Sequence, residues 1–410
     1  MRRLVGAQFL SETGDGVVTV ALPLYVLSKT DSAIAMALTF TAQMIGGALL
    51  GVVGGVLADR FDRQRVLKLS FLVRALLLVV AWLMSPVAAV VVLGVSARAF
   101  GQLDNPSFDA LIPDQVVDDL QQVLSLRRFI QSVSIIVGPA VGALTVWTIG
   151  EQPTLAVAAV LFVAAICIHL TLPSLDHGVA SRRREHHESS WLELARGMAV
   201  VTTTPFVRRL VLYWFLSMAT VSMAMATAAV WFEETLDAAG YWYGLSVSAY
   251  GIGTASATLV FGRRRFRMSL PAILFAAAPA YAATCAVCVI ADVPWLFPIG
   301  WFLWGIAFGP EIVRGEPEFV HRIHASSLGR AYAGLGVAIM LGMAVGYAIA
   351  GPLLDQYGAR TTTYITAIAI LAIGAMWIGP ARRHEGLSSS ISTTAGDTEP
   401  HLVEVRTTHG

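Results

Sequence analysis

The sequence predicts an all-α membrane protein with twelve transmembrane helices in two pseudo-symmetric six-helix bundles. Three observations predict it. First, 56% of the 410 residues are hydrophobic and only 13% are charged, with a mean hydropathy of +0.67. A soluble domain carries about 25% charged residues, so this chain lacks the polar surface to face water on all sides. Second, apolar stretches long enough to span a bilayer, about 20 residues each, recur along the chain. Third, the basic residues fall on alternate inter-helix segments.

In order, the predicted spans are 4–28, 32–58, 66–86, 87–112, 122–148 and 153–172. After a polar break at 173–205 come 206–232, 241–262, 269–291, 294–316, 327–354 and 360–379. Arg2-Arg3 precedes the first span. Glu12 and Asp15 lie inside it, and no small-residue cleavage site follows, so it reads as a retained helix. Spans 2 and 3 are separated by the most charge-dense turn of the first hundred residues. Span 5 contains Gly138-Pro139 and span 11 contains Gly351-Pro352. Arg263 to Arg265 and Arg267 between spans 8 and 9 echo the basic turn between spans 2 and 3. Such correspondences are what a duplicated transporter looks like.

The expected organisation is a first bundle at 1–172, a cytoplasmic linker at 173–205, a second bundle at 206–380 and a disordered tail at 381–410. In the linker, Arg182-Arg183-Arg184-Glu185-His186-His187-Glu188 reads as solvated chain. Ser190-Trp191-Leu192-Glu193 fits a helix-start capping box. Trp191, Leu194, Met198 and Val201 then share one face, which predicts a short amphipathic helix on the membrane surface. The tail turns to Ser, Thr and Gly and has too little apolar content to fold.

Orientation follows from the arginines. With the N-terminus inside, the cytoplasmic segments hold nearly all basic residues, and the outer segments hold only Lys29 and Arg360. The expectation is a multi-pass cell-membrane protein with both termini cytoplasmic. The net charge of +1 makes no case for a nucleic-acid partner. Cys285-x-x-Cys288 has redox spacing but only apolar neighbours, so it reads as two small core residues. Lysine occurs only at positions 29 and 68, so no P-loop is possible, and no His/Glu zinc motif is present. A polytopic membrane enzyme is therefore disfavoured, and neither metal nor cofactor is expected.

Ionisable residues inside a bilayer are costly, roughly 2.5–3.5 kcal/mol for Asp or Arg at the centre of a helix, so they are functional candidates. Here they are Glu12 and Asp15 in span 1, Arg98, Asp104 and Asp109 in span 4, and Glu311 and Arg314 in span 10. Glu12 and Asp15 share a helix face. On a continuous α-helix Arg98, Gln102, Asn105 and Asp109 form one stripe and Asp104 falls off it. Trp304, Glu311 and Glu318 form another stripe, with Arg314 beside it, although Pro310 and Pro317 disturb the geometry. Arg74, within two turns of the predicted cytoplasmic end of span 3, reads as a snorkelling side chain.

The turn Gly54-Gly55-Val56-Leu57-Ala58-Asp59-Arg60-Phe61-Asp62-Arg63-Gln64-Arg65 resembles the signature loop of the major facilitator superfamily. Gly55, Leu57, Ala58, Asp59, Arg60, Arg63 and Arg65 match it, while Asp62 stands where the family usually has Gly. Gly138-Pro139-Ala140-Val141-Gly142 resembles the helix-5 motif of that family's drug:proton antiporters, with Ala143 in place of the last Gly. Arg98-Ala99-Phe100-Gly101-Gln102 partly matches their helix-4 Arg pattern. Asp62 in place of the signature-loop Gly resembles the macrolide-efflux and siderophore-export branch.

The resemblance implies the major facilitator fold, with helices 1, 4, 7 and 10 lining a central cavity, and the charged residues above fall on helices 1, 4 and 10. It implies a monomeric secondary transporter that exports hydrophobic or amphipathic small molecules through the lipid bilayer in exchange for protons. On this reading Asp15, Glu12, Arg98, Asp109, Glu311 and Arg314 serve proton coupling or the cavity, with Glu311 and Arg314 alternatively an inner gate pair. Gly55, Asp59, Arg60, Arg63 and Arg65 form a gating loop. Asp59 docks on the start of helix 11, and the arginines pair with Asp114, Asp118 or Asp119. Gly138, Pro139 and Gly142 bend helix 5 and allow close approach. Trp301, Trp304 and Tyr213 are candidates to stack on substrate. A dedicated exporter of one host-made metabolite and a proton-coupled uptake symporter are the competing readings.

Overall fold

The computed structural model describes residues 2–60, 62–104, 108, 120–171, 199, 204–235, 241–263, 268–291, 293–324 and 327–378, without the side chains of 2, 52–60, 63, 120–129, 234–235, 263 and 291. All of the described secondary structure is helical. The first six helices are α1 (Arg2–Thr30), α2 (Ala33–Arg60), α3 (Arg63–Leu83), α4 (Val87–Phe100), α5 (Leu120–Ile149) and α6 (Glu151–Leu170). They are followed by α7 (Pro205–Val230), α8 (Tyr241–Arg263), α9 (Leu270–Ala291) and α10 (Leu296–His321). The run Leu328–Ala375 breaks at Gly358, whose φ of 73° and ψ of 170° are non-helical, giving α11 at 328–357 and α12 at 359–375. A positive φ is cheap only for glycine, so the chain turns there. Nine of the described helices, the run 328–375 counted once, are long and apolar enough to cross a membrane.

Helices α3 and α6 each hide one face and grease the other. On α3, Leu69, Leu72, Leu76, Val80 and Leu83 are exposed along one stripe, while Phe71, Arg74, Leu78 and Ala81 are buried on the opposite face. On α6, Val160, Val163 and Leu170 are exposed, while Leu155, Ala158, Phe162 and His169 are buried. In water such exposure would be an aggregation hazard; in a bilayer it is the lipid-facing surface.

The two sets of six helices repeat the same pairings. In the first, α1 lies on α5 and α6, α2 on α4, and α3 on α4 and α6. In the second, α8 lies on α10 and α9 on α10, Gly342 and Gly346 of α11 meet Phe215 and Ala219 of α7, and Gly374 of α12 meets Ala278 of α9. Small residues set these approaches. A Cβ on Gly138 would stand 2.8 Å from the Gly16 Cα and 3.0 Å from the Thr13 carbonyl oxygen, so α1 and α5 touch through bare backbone. The sequence pairing of Gly138 with Gly351 is corrected here. Gly346, as far past Leu328 as Gly138 is past Leu120, makes the equivalent contact, whereas Gly351 faces Ala37 of α2.

The halves meet along α2·α11 and α5·α8. Phe40 stacks on Tyr347 at 4.3 Å and 3°, and Thr41 Oγ1 donates to the Ala344 carbonyl at 3.4 Å. Ser248 Oγ donates to the Ile136 carbonyl at 2.9 Å, and the Trp147 and Tyr241 rings lie 5.7 Å apart. All of these contacts belong to the end of the bundle where α1 finishes and α2 begins, opposite the N-terminus.

Two local predictions change. Span 4 is not one uninterrupted α-helix: after Phe100 the chain tightens into a 3-10 turn at Gly101–Leu103, and Asp104 and Phe108 are α-helical again. Asp62, read only as a departure from a motif, is the N-cap of α3. Its Oδ1 accepts from the backbone N–H of Gln64 at 2.8 Å and of Arg65 at 3.2 Å, satisfying donors that a helix start otherwise strands.

Candidate functional site

The first half buries an arginine. Arg74 lies eleven residues past the start of α3, about 16 Å along the axis at 1.5 Å per residue. Its side chain is 1% exposed, so it does not snorkel. The sequence reading began the helix three residues late and so placed Arg74 too near the membrane edge. Arg74 Nη1 donates to Asp104 Oδ2 at 2.5 Å and to Ser11 Oγ at 3.1 Å. Nη2 donates to Asp15 Oδ1, and the guanidinium lies over the Phe162 ring at 3.9 Å. A Cβ on Gly101 would stand 3.0 Å from the guanidinium carbon, so glycine makes room for the cation.

Asp104 joins this cluster because of the 3-10 turn. Each 3-10 residue advances about 120° instead of 100°. Three such steps rotate Asp104 by about 60° toward the Arg98 stripe, from which a continuous α-helix would exclude it. Ser11 Oγ donates to Asp104 Oδ2 at 3.1 Å.

Asp15 Oδ1 also pairs with Arg98 Nη1 at 3.1 Å. Arg98 is less confined, with 22% of its side chain exposed against 18% for Asp15. Two aspartates and two arginines therefore balance in charge, in a cluster spanning α1, α3, α4 and the turn after α4. Arg74 is anchored on several sides, whereas Arg98 holds Asp15 from the more open side. Glu12, one turn away on α1, accepts from Gln8 Nε2 at 3.2 Å. Gln102 does not join Arg98: its side chain lies against Gly47 and Gly51 of α2. Asp109 and Asn105 lie outside the described residues, as do Asp114, Asp118 and Asp119.

The second half has a polar centre on the matching helices. Glu311 of α10 is buried. Its Oε1 accepts from Tyr281 Oη of α9 at 2.8 Å and from Tyr213 Oη of α7 at 3.0 Å. The expected Glu311–Arg314 pair does not form in this conformation, and Arg314 makes no ion pair among the described residues. Arg314 lies three residues beyond Glu311 on a helix that contains Pro310, and Glu311 faces the tyrosines instead. Tyr213 is thus a buried hydrogen-bond donor, not an open stacking platform. Trp304 stacks on Tyr281 at 5.3 Å, and Trp301 lies 6.3 Å from Trp304.

The Gly-Pro motif of α5 forms a three-helix junction. Gly138 meets Gly16 of α1, next to Asp15; Gly142 meets Val17; and a Cβ on Gly244 of α8 would stand 2.7 Å from the Pro139 carbonyl oxygen. Of the loop 55–65, Gly55, Asp59 and Arg60 lie on the last turns of α2 and Arg63 opens α3. The side chains of 55, 59, 60 and 63 are outside the described set, and so is the proposed docking of Asp59. Arg65 is exposed and lies 3.7 Å from Asp62. Sequence reading missed Arg74, Asp104 and Ser11 as one network, and Tyr281 as a partner of Glu311. The available clue was a lone Arg in an apolar helix beside two other helices that carry acids.

A family model described as Major Facilitator Superfamily matches residues 4–313. The chain is similar to the multidrug efflux pump Tap of Mycobacterium bovis, 29% identical over 204 residues, covering 47% of this chain and 48% of that protein. It is also similar to macrolide efflux protein A of Streptococcus pyogenes, 26% identical over 203 residues, covering 47% and 49%. The chain thus spans about half the length of these relatives. Among solved structures, the nucleoside transporter NupG superposes with a TM-score of 0.76 at 14% identity, over 92% of this chain and 98% of that one.

Proposed function

The chain belongs to the major facilitator superfamily, a family of membrane transporters, and from that premise we propose that it exports hydrophobic or amphipathic small molecules by proton antiport. The supporting observation is Asp15, a carboxylate held between an anchored arginine and a more open one. Of the two cations on Asp15, Arg74 is anchored, and Arg98, on the more open side, is the one that can withdraw. When Asp15 is protonated, Arg74 retains Asp104, Ser11 and Phe162, while Arg98 loses its partner. Transport needs such a group with two arrangements. Glu12, Asp109, Glu311 and Arg314 are further members of the coupling and cavity set.

The helix-5 motif carries the change across the halves. Gly16 follows Asp15 directly and rests on Gly138, and the neighbouring Pro139 carbonyl rests on Gly244 of the other half. With both termini cytoplasmic, the sealed end formed by Phe40, Tyr347, Trp147 and Tyr241 is the outer one, and this conformation faces inward. The turn carrying Gly55, Asp59, Arg60, Arg63 and Arg65 gates the inner end. The bundles occupy 1–172 and 206–380, comprise twelve spans and act as a monomer, with a linker at 173–205 and a tail at 381–410. The names of Tap and macrolide efflux protein A favour export of drug-like compounds.

The test is efflux of a dye and of a macrolide in everted vesicles, wild type against Asp15→Asn, with and without an uncoupler. Wild-type transport should collapse with uncoupler, and Asp15→Asn should abolish it at normal membrane abundance. Undiminished transport by Asp15→Asn would refute the coupling role, and uncoupler-insensitive transport would refute antiport.

A further inference from the structure

We infer that Tyr347 of α11 is the acceptor that takes Arg98 when Asp15 is protonated, so that protonation ties the two halves together at their sealed end. The inference rests on the antiport reading above and names the residue through which the proton site closes that end.

Tyr347 stands where the halves meet. It is buried, and its ring lies flat on Phe40 of α2 at 4.3 Å. Its hydroxyl donates to Met225 Sδ of α7, within its own half, at 3.4 Å. A thioether is a weak acceptor, and a phenol oxygen can itself accept. Among the described residues nothing donates to the Tyr347 oxygen, so it is an unused acceptor at the seam.

Arg98 lies just inside that oxygen. Its neighbour Ala99 meets Gly46 of α2, six residues past Phe40 and so about 9 Å further along the axis. Arginine and tyrosine are long side chains that together cross such a gap. The Arg98 guanidinium already acts electrostatically on the Tyr347 phenol, while its Nη1 is held by Asp15 at 3.1 Å. Arg74 cannot take this role, because Asp104, Ser11 and Phe162 hold it in place.

The direction of the effect follows from who holds Arg98. With Asp15 ionised, Arg98 is drawn to α1, and the seal rests on ring stacking and the Thr41 hydrogen bond. With Asp15 protonated, Arg98 loses that partner, and a guanidinium in an apolar site needs another. The Tyr347 oxygen supplies it from the other half, so the new bond crosses the seam and strengthens the seal. Antiport requires this order, since the protonated carrier must turn inward and the deprotonated, loaded carrier outward. The charged groups around Asp15 are Arg74 from α3, Arg98 and Asp104 from α4 and beyond its 3-10 turn, and Glu12 on α1 itself. From α5 and α6 come Gly138 and Phe162, and the described side chains of α2 carry no charge.

The test reads the width of the sealed end. Purified full-length protein in detergent carries spin labels at Lys29→Cys of α1 and Tyr357→Cys of α11, both exposed at that end. The native Cys167, Cys285 and Cys288 are replaced by alanine. Label-to-label distances are measured between about pH 5 and 9, with no ion gradient. The parent protein should move toward the short, closed distance as pH falls, and Asp15→Asn should stay closed throughout. Tyr347→Phe keeps the ring stack and removes the acceptor. It should lower the closed-to-open ratio at acid pH roughly ten- to hundred-fold, the scale of one hydrogen bond to a charged group, and flatten the pH response. Tyr347→Trp, whose indole offers a ring but no acceptor, serves if Tyr347→Phe does not insert. Phe40→Leu loosens the seal at every pH and should keep the response. An unchanged response in Tyr347→Phe overturns the role of Tyr347 and leaves the antiport reading standing. Equal flattening by Phe40→Leu reduces the effect to packing and also overturns it. Parent distances that ignore both pH and Asp15→Asn overturn the antiport reading, and this inference with it.

Discussion

Arg74→Met removes the charge at the centre of the first half and keeps much of the volume. Asp15 retains Arg98 at 3.1 Å, so its loss is partial. Asp104 is the casualty: its side chain is 3% exposed, and without Arg74 its described partner is the Ser11 hydroxyl. Removing one member of a buried ion pair costs about 3–5 kcal/mol, because a charge is left without compensation. Methionine replaces part of the contact with Phe162 through its sulfur, so the expected loss stays in that range. Against a typical total of about 5–15 kcal/mol, the variant should be close to unfolding.

The diagnostic measurement is the double variant Arg74→Met with Asp104→Asn. It removes the stranded charge and leaves an amide that Ser11 can still serve. Reversible unfolding in mixed micelles, followed by tryptophan fluorescence, should show the pair recovering more than half of the single loss. A coupling energy of about 2–3 kcal/mol is expected for groups in direct contact. If Arg74→Met lies within about 1 kcal/mol of wild type, or if the two substitutions simply add, the cluster is not the buried, mutually compensating network described above.

Three further outcomes follow from the geometry. Gly138→Ala places a methyl 2.8 Å from the Gly16 Cα; it should cost about 1–3 kcal/mol by overpacking, seen as a lower unfolding midpoint, and transport should fall with it. Asp62→Ala removes the cap on the Gln64 and Arg65 amides and should cost about 1 kcal/mol, while Asp62→Asn, which keeps the acceptor, should recover most of it in the same unfolding assay. Tyr281→Phe takes one of two phenol donors from Glu311 and should cost about 1–3 kcal/mol; the lipid-exposed Tyr364→Phe is the control and should be silent.

The sequence alone determined the class of the molecule and most of its helices. Hydropathy needs no partner to be read: a stretch such as Leu270–Ala291 must be buried in lipid or protein wherever its neighbours lie. The same holds for the signature turn and for the Gly-Pro motif, whose bare backbone announces a close approach without saying to what. Asp15, Arg98 and Glu311 were legible as candidates, since an ionisable group in an apolar helix is costly in any fold.

What the sequence did not decide was who compensates whom. Arg74 looked like a side chain near a membrane edge, because its depth depends on where α3 starts, and Asp62 sets that start by capping. Asp104 looked misplaced, because periodicity assumes 3.6 residues per turn and the chain tightens at Gly101–Leu103. Tyr213 and Tyr281 looked like ordinary aromatics, because a phenol becomes a donor to Glu311 only once α7, α9 and α10 converge. Electrostatic pairing depends on distances between helices far apart in the chain, and only the tertiary structure fixes those.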